Sequence, residues 1–277
     1  MVQHHVFTFW EPRGELLPYL ELCRRTWDRH LAAFEVVGLD HANLETYIGI
    51  DTYELDVLKT FPLQVQKDAV MAAVLRRHGG IFVDMDTLVL ADLSPLLQAL
   101  ETSEVVLFDS HLAFMVARPQ ARILHRWVEI VQRRLALGSG DGAAWDALGN
   151  SLLPVVMDDV SRRVGAWLRV PPSMVPRRRQ LLFRTLYRRY LRSLDRREYG
   201  FIAEANHYGQ DGGDPFAAYR RFWFDEDLMP DVVLKPGRMI VGLHNSWTPD
   251  WYKQLSTREV LEHPCLLSRT LRRLLGR

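Results

Sequence analysis

The apolar positions in the first part of the chain alternate between strand-like runs and helical spacings. β-Branched and aromatic residues over 5–10 predict a first strand, which ends at a turn containing Pro12 and Gly14. A helix is predicted from Pro18 onward, since apolar residues then recur every three or four positions. A second strand is predicted over residues 34–39. This order of strand, helix and strand is typical of an α/β protein.

A third strand-like run carries two carboxylates at its end. Residues 66–78 are good helix formers, and Gly79-Gly80 supplies a helix stop. The short apolar run 81–83 then predicts a buried strand that ends at Asp84-Met85-Asp86. Strand periodicity is two, so both carboxylates are expected on the same face. Ligands of open α/β sheets bind at the carboxyl ends of strands, and this places the pair at a plausible binding edge.

The second half of the chain continues the α/β pattern. We predict strands over 105–108, 112–117 and 239–243, and a helix over 120–137. His244-Asn245-Ser246-Trp247 directly follows the last of these strands. The fold class predicted is α/β, with a mixed central sheet flanked by helices in a single domain over residues 1–277.

Composition excludes several classes of protein. The chain has 277 residues, of which 48% are hydrophobic and 25% charged, as in globular domains. A net charge of +1 argues against a nucleic-acid-binding protein. Two cysteines argue against a disulfide framework and fit a reducing compartment. No apolar run approaches the ~20 residues that span a bilayer, and the first residues lack a signal-peptide pattern. The expected location is the cytoplasm.

The near-neutral total hides a basic segment over residues 161–199. It holds twelve arginines against two acids, a local charge of +10, while the rest of the chain sums to −9. Within it, a helix is predicted whose apolar stripe is formed by Phe183, Leu186, Tyr187, Tyr190, Leu191 and Leu194. We favour packing of this stripe on the protein's own domain. The alternative is peripheral contact of 177–199 with an anionic membrane on its inner face, which would suit a lipid-linked acceptor.

The pair Asp84 and Asp86 predicts a divalent cation. Two carboxylates this close repel one another unless a cation lies between them, and hard oxygen ligands suit Mg²⁺ or Mn²⁺. Such an ion would hold a diphosphate and neutralise the charge that develops on it as it leaves. A lone Asp-x-Asp is equally well read as an exposed turn.

The surroundings of the pair carry a more specific pattern. Asp68 lies sixteen residues before Asp84, near the predicted helix start, and is followed by Gly79-Gly80, an apolar strand and Asp-x-Asp. This resembles the sugar-binding region of glycosyltransferase family 32, of capsular-polysaccharide-synthesis glycosyltransferases and of glucosylating bacterial toxins. Further resembling segments are Trp10 with its strand and residues 22–30, 34–37, 113–119 and 243–247. The resemblance covers residues 5–130 and 238–255.

This resemblance implies a GT-A-like fold and a metal-dependent hexosyltransferase. It implies transfer from a nucleotide sugar, most often a UDP-sugar, with retention of configuration and a place in polysaccharide biosynthesis. The acceptor, a carbohydrate or a lipid-linked or other glycosylated molecule, is not specified; its contacts are expected within 140–235.

The resemblance also implies roles for particular residues. Asp84 and Asp86 would be the catalytic pair, with Asp86 the direct metal ligand and Asp84 binding ribose and metal. The other implied residues are Trp10 stacked on the base, Asp68 on a sugar or ribose hydroxyl, Gly80 at the donor, His244 or Asn245 completing the metal shell, and Ser246 and Trp247 against the phosphates. Trp10 and Trp247 are as readily core residues, Asp68 a favourable charge at a helix start and His244 an ordinary satisfied histidine.

The resemblance implies no particular catalytic base, because an oxygen of the leaving diphosphate can deprotonate the acceptor in retaining enzymes of this fold. Asp109, Asp141 and Asp146 are acidic residues on the expected acceptor side, and each is better explained as a loop or capping residue.

One position departs from the family pattern. Met71 occupies the place of an arginine that usually contacts the donor, and a thioether cannot make charge-assisted hydrogen bonds. This leaves open a non-catalytic nucleotide-sugar-binding protein. A third interpretation is a haloacid-dehalogenase-like phosphatase, in which Asp84 would attack phosphorus and Asp86 would be the acid/base.

Overall fold

The computed structural model describes residues 4–108, 111–138, 144, 146–152, 155–156, 191–193 and 215–276. Most of the basic segment 161–199 therefore lies outside the described residues, as do Asp109 and Asp141. The membrane contact predicted for 177–199 stays a prediction. Among the described helices, none is long and apolar enough to cross a membrane.

The described strands are β1 (His4–Phe9), β2 (Phe34–Leu39), β3 (Gly80–Val83), β4 (Thr87–Val89), β5 (Val105–Phe108), β6 (His111–Ala117), β7 (Leu191–Ser193) and β8 (Ile240–Gly242). The described α-helices are α1 (Pro18–Asp28), α2 (Leu44–Ile48), α3 (Leu55–Leu58), α4 (Leu63–His78), α5 (Ser94–Gln98), α6 (Arg122–Leu135), α7 (Pro215–Trp223), α8 (Asp250–Lys253), α9 (Thr257–Glu262) and α10 (Leu266–Leu274). Short 3₁₀ turns cover Ala99–Glu101, Pro230–Val232 and Asn245–Trp247.

The chain divides into two compact units. The first contains residues 1–11, 36–83 and 94–193, and the second contains residues 12–35, 84–93 and 194–277. The prediction of a single domain over 1–277 stays a prediction.

The first unit is built on a mixed six-stranded sheet with the order β2-β1-β3-β6-β5-β7. β3 runs parallel to β1 and antiparallel to β6, while β5 is antiparallel to β6 and parallel to β7. Helix α4 packs against β1, β3 and α6. The predicted α/β class, a mixed central sheet flanked by helices, is confirmed.

Helix α4 is buried along most of its length, from Val65 to Leu75. Because this stretch is buried on nearly all sides, it has no broad solvent-facing polar face, which explains why its sequence shows helix formers without an amphipathic stripe. It begins at Leu63, three residues before the predicted start, with Pro62 as its N-cap residue. It ends at His78, and the C-cap residue Gly79 has a φ of +65°, which continues neither helix nor strand.

The two glycines after α4 are required by close backbone contacts. A Cβ on Gly79 would lie 2.5 Å from Cδ of Pro119, and one on Gly80 would lie 2.6 Å from the carbonyl oxygen of His5. Both residues also have positive φ. The Gly-Gly pair therefore lets the chain turn from α4 into β3 against β1.

One prediction for the basic segment is wrong where the structure describes it. Leu191 and Arg192 were predicted to continue a helix, but Leu191–Ser193 form the edge strand β7, in which Leu191 pairs with Val105. Pairing with the neighbouring strand, a long-range interaction, overrides the local helical spacing here.

The second unit contains α1, the described helices from α7 onward and a two-stranded antiparallel sheet of β4 and β8. The buried Trp27 donates its indole N–H to the carbonyl oxygen of Thr87 at 2.7 Å. The hydroxyl oxygen of Thr26 accepts from the amide of Val89 at 3.0 Å. These two bonds attach α1 to β4. The strand predicted over 239–243 is confirmed as β8.

Candidate functional site

Asp84-Met85-Asp86 forms the connection between β3 and β4. β3 ends at Val83, and residues 84–86 lie in a loop and turn before β4 begins at Thr87. The prediction that a strand delivers these residues at its carboxyl end is confirmed. The strand argument for a shared face is wrong, because the strand stops before Asp84 and its period of two does not extend through the turn.

Asp86 is held at two points by the segment that follows β8. Its main-chain oxygen accepts from the amide of Leu243 at 2.9 Å. Its carboxylate oxygen Oδ2 accepts from the amide of Asn245 at 2.7 Å. The second bond joins residues 159 positions apart in the sequence. The structure therefore brings together the Asp-x-Asp turn and the His-Asn-Ser-Trp segment that the resemblance assigned to one metal site.

A ring of hydrogen bonds fixes the backbone around Asn245. The amide of His244 donates to the hydroxyl oxygen of Tyr219 at 3.1 Å, and the hydroxyl of Thr248 donates to the carbonyl oxygen of His244 at 3.0 Å. The hydroxyls of Tyr219 and Thr248 lie 3.2 Å apart. Because the proton of Thr248 goes to His244, Tyr219 donates to Thr248. Tyr219 and Thr248 are both buried, so water competes little with this ring.

The side chain of Asn245 has its own partner. The hydroxyl of Tyr19, at the start of α1, donates to Oδ1 of Asn245. Burial raises the pKa of Tyr19 well above its usual value, and the charge of Asp86 raises it further. The hydroxyl is therefore protonated and a donor throughout the neutral pH range.

His244 is an uncharged imidazole at neutral pH. Burial lowers its pKa to about 4. Its ring packs against Trp247, with the ring centroids 4.0 Å apart, and against Tyr219 at 5.8 Å. Neutral imidazole is the form that ligates metals, although the packing alone also accounts for this histidine as part of an aromatic cluster.

Trp247 and Ser246 differ in their surroundings. Trp247 is partly buried, with Phe216 against its ring at 5.0 Å and Tyr219 edge-on at 5.7 Å. Ser246 is exposed. The phosphate contacts expected of these two residues stay predictions.

The donor chemistry of this segment fits Mg²⁺ or Mn²⁺. Among the described residues, no group of three or more His, Cys, Asp or Glu side chains could hold a metal. Mg²⁺ is commonly bound by one or two carboxylates, with substrate phosphates and water completing its shell. A carboxylate has about four acceptor positions, so Asp86 can bind a cation while it accepts from Asn245. These residues therefore fit a cation whose coordination shell is completed by the diphosphate of a bound substrate.

In the first unit, Asp68 is a buried carboxylate. It lies in the second turn of α4, because the helix begins at Leu63. A favourable charge at the helix start therefore explains it poorly, since that effect fades beyond the first turn. Lys67 lies 2.8 Å from its Oδ1, and Lys67 also donates to the carbonyl oxygen of Leu112. The sugar contact expected of Asp68 stays a prediction.

Gly149 approaches the carboxylate of Asp68 very closely. A Cβ built on Gly149 would lie 1.7 Å from Oδ2 of Asp68 and 2.6 Å from its Cγ. Gly149 belongs to a turn in which the carbonyl oxygen of Asp146 accepts from the amide of Gly149 at 3.0 Å and from the hydroxyl of Ser151 at 2.8 Å. Asp146 is therefore a loop residue whose carbonyl oxygen stabilises this turn.

Trp10, Gly80 and Met71 are the remaining positions of the first unit that the sequence analysis singled out. Trp10 comes directly after β1, is partly exposed and donates its amide to Leu39 at 3.1 Å. Gly80 has a structural role beside His5, and its donor contact stays a prediction. Met71 is fully buried in the hydrophobic core of α4, so this side chain cannot replace an arginine that contacts the donor.

Sequence reasoning missed Tyr19, Tyr219, Thr248 and Gly149. The tyrosines lie on helices in which aromatic residues are expected core positions, and nothing local in the sequence marks their hydroxyls. The approach of Gly149 to Asp68 depends on how the 146–152 turn packs, and a single glycine in a loop does not predict it.

No family model matches this chain, and no curated protein matches it. The solved structures to which this chain is similar include the following three. The PaToxG glycosyltransferase is 12% identical, with 61% of this chain and 75% of that chain covered and a TM-score of 0.39. The glycosyltransferase GlyE of Streptococcus pneumoniae TIGR4 is 14% identical, covers all of this chain at a TM-score of 0.45, and is matched over 64% of its own length. Mouse xyloside xylosyltransferase 1 is 10% identical, with 90% of this chain and 99% of that chain covered and a TM-score of 0.42.

Proposed function

We propose that this protein is a metal-dependent glycosyltransferase. It transfers a hexosyl group from a nucleotide sugar, of which a UDP-sugar is the preferred class, to an acceptor, with retention of configuration. The acceptor is a carbohydrate or another glycosylated molecule, in keeping with a role in polysaccharide biosynthesis. The cofactor is Mn²⁺ or Mg²⁺.

The observation that carries the proposal is the hydrogen bond from the Asn245 amide to the Asp86 carboxylate. Two motifs that the sequence resemblance assigns to one metal and diphosphate site lie far apart in the chain. Their direct contact is what that assignment requires, and it is not required of an unrelated Asp-x-Asp turn.

The chemistry asked of these residues is mainly electrostatic. A bound divalent cation would neutralise the negative charge on the departing nucleoside diphosphate. Asp86, oriented by the Asn245 amide, supplies negative charge to hold the cation, and Asp84 supplies a second carboxylate together with a ribose contact. The candidates for the remaining protein ligands are the neutral imidazole of His244 and the side-chain carboxamide oxygen of Asn245.

The proposal assigns the donor contacts to Trp10 and Asp68. Trp10 would stack on the base, for which its partly exposed position after β1 is suitable. Asp68 would accept from a sugar or ribose hydroxyl. Since Met71 is buried in the core, the donor is held without the arginine contact that the family pattern places there.

The proposal is tested by a donor-hydrolysis screen of UDP-, GDP- and TDP-sugars in Mn²⁺, with para-nitrophenyl phosphate as a parallel substrate. We expect sugar release from one class of nucleotide sugar and no release of para-nitrophenol. Hydrolysis of para-nitrophenyl phosphate alone would favour the phosphatase alternative. Calorimetric binding of a nucleoside diphosphate with Mn²⁺, without hydrolysis of any donor, would favour a non-catalytic binding protein.

A further inference from the structure

Tyr19 is a fully buried tyrosine whose hydroxyl reaches a residue 226 positions away. It lies next to the start of α1, has no exposed surface, and donates to Oδ1 of Asn245. Buried hydroxyls find a hydrogen-bond partner, but the partner need not be a functional residue. Here it is the asparagine whose amide holds Asp86.

We propose that Tyr19 is a positioning residue that acts through Asn245 on the bound cation and diphosphate. This inference rests on the proposed function. Tyr19 itself contacts neither the cation nor the substrate in this account. Its hydroxyl fixes which way the Asn245 carboxamide faces.

Two sets of hydrogen bonds hold Asn245, and they are linked, because the hydroxyl of Tyr19 also interacts with Thr248. The ring formed by His244, Tyr219 and Thr248 fixes the backbone of the segment and so aims the Asn245 amide at Asp86. The ring does not involve the Asn245 side chain. In the part of the chain that the structure describes, its carboxamide oxygen is held by Tyr19, and the terminal torsion of an asparagine is otherwise broad.

The orientation matters because the carboxamide has one end that can ligate and one that cannot. Its oxygen carries two lone pairs, so it can accept from Tyr19 and still bind a cation, whereas its NH₂ group is a donor only. Without Tyr19, the NH₂ and the oxygen can exchange places. Residues that orient metal ligands in this way typically change metal affinity or activity by about 10–100-fold when they are replaced.

The test compares Tyr19→Phe with Tyr252→Phe in the full chain. Tyr252 is also fully buried in the second unit, its ring lies 5.8 Å from that of Tyr19, and its hydroxyl is bonded to Ser268 at 2.8 Å. Both variants lose one buried hydroxyl and its hydrogen bond. The measurements are calorimetric titration of UDP in MnCl₂ and a thermal melt of each variant.

We expect UDP with Mn²⁺ to bind Tyr19→Phe about 10–100-fold more weakly than it binds the wild type, while Tyr252→Phe binds as the wild type does. Both variants should melt at a similarly reduced temperature. Equal affinity of Tyr19→Phe and wild type would overturn the inference and leave the proposed function in place. A Tyr19→Phe chain that does not fold would assign the hydroxyl to stability and also overturn it.

A double variant tests whether the effect passes through Asn245. In an Asn245→Ala background, adding Tyr19→Phe should produce no further loss of affinity for UDP with Mn²⁺, and urea unfolding without metal should show that the two substitutions are not additive. Fully additive losses would contradict the coupling. If the wild type binds no nucleotide with Mn²⁺, the proposed function fails and this inference fails with it.

Discussion

At the scale of single residues, the turn at Gly149 packs directly against the carboxylate of Asp68. The loop backbone at Gly149 occupies the space beside the carboxylate, and a Cβ there would overlap Oδ2. Glycine is therefore needed at this position for steric reasons. No positive φ is involved, so the effect of a substitution is confined to what the new side chain displaces.

Gly149→Ala should displace the Asp68 carboxylate and weaken donor binding. Overpacking of this kind costs about 1–3 kcal/mol of stability. We expect the KM for the donor to rise as it does in Asp68→Ala, with no further rise when the two are combined. Thermal melting of each variant, measured together with its kinetics, separates the effect on stability from the effect on donor binding. Lost stability with an unchanged KM would mean that Asp68 has no donor contact.

Trp10 can be compared with a tryptophan that is unambiguously part of the core. Trp10→Ala should weaken nucleotide binding by about 1–3 kcal/mol, the range for stacking of a base on an aromatic ring. It should lose less stability than Trp27→Ala, because Trp27 is fully buried and its truncation costs about 3–5 kcal/mol. Calorimetric titration with UDP and melting curves of both variants check this. Unchanged UDP affinity in Trp10→Ala would exclude the stacking role.

At the scale of elements, the entry into β3 depends on the glycine pair. Gly80→Ala should destabilise the protein by about 1–3 kcal/mol, since it adds a Cβ against the His5 carbonyl at a φ of +98°. Gly38→Ala is the matched control in β2, where a Cβ would meet nothing within 4 Å. Urea unfolding of the two variants measures this difference in the free energy of unfolding. Equal stabilities would contradict the close packing of β1 on β3 described above.

Elements with strong local signals were predictable, and those fixed by distant partners were not. The Gly-Gly stop, the apolar β3 and the strand before His244 were found because their residues specify them locally. The pairing of Leu191–Ser193 with β5 was missed because a helical spacing in the same residues gives the opposite signal. β4 was missed because its three residues gain their stability from pairing with β8.

At the scale of the whole molecule, the sequence predicted the α/β class and the candidate residues but not their mutual contacts. The sequence placed Asp86 and Asn245 in motifs more than 150 residues apart, and only the fold shows that the amide of one meets the carboxylate of the other. The hydrogen-bond partners of the Tyr19 and Tyr219 hydroxyls depend on how α1 and α7 pack, and no local sequence pattern encodes that packing. The sequence thus suggested the chemistry, and tertiary structure determines which groups orient it.

The central claim is that Asp86 holds a divalent cation for the donor, and the most direct measurement is donor hydrolysis in Mn²⁺ by Asp86→Asn. Asp231→Asn is the matched control, because Asp231 is exposed in the second unit and forms a surface ion pair with Arg273. We predict that Asp86→Asn folds and melts close to the wild type but hydrolyses no UDP-sugar, while Asp231→Asn and the wild type do so until a chelator is added. Full hydrolysis by Asp86→Asn, or by the wild type in excess chelator, would contradict the account.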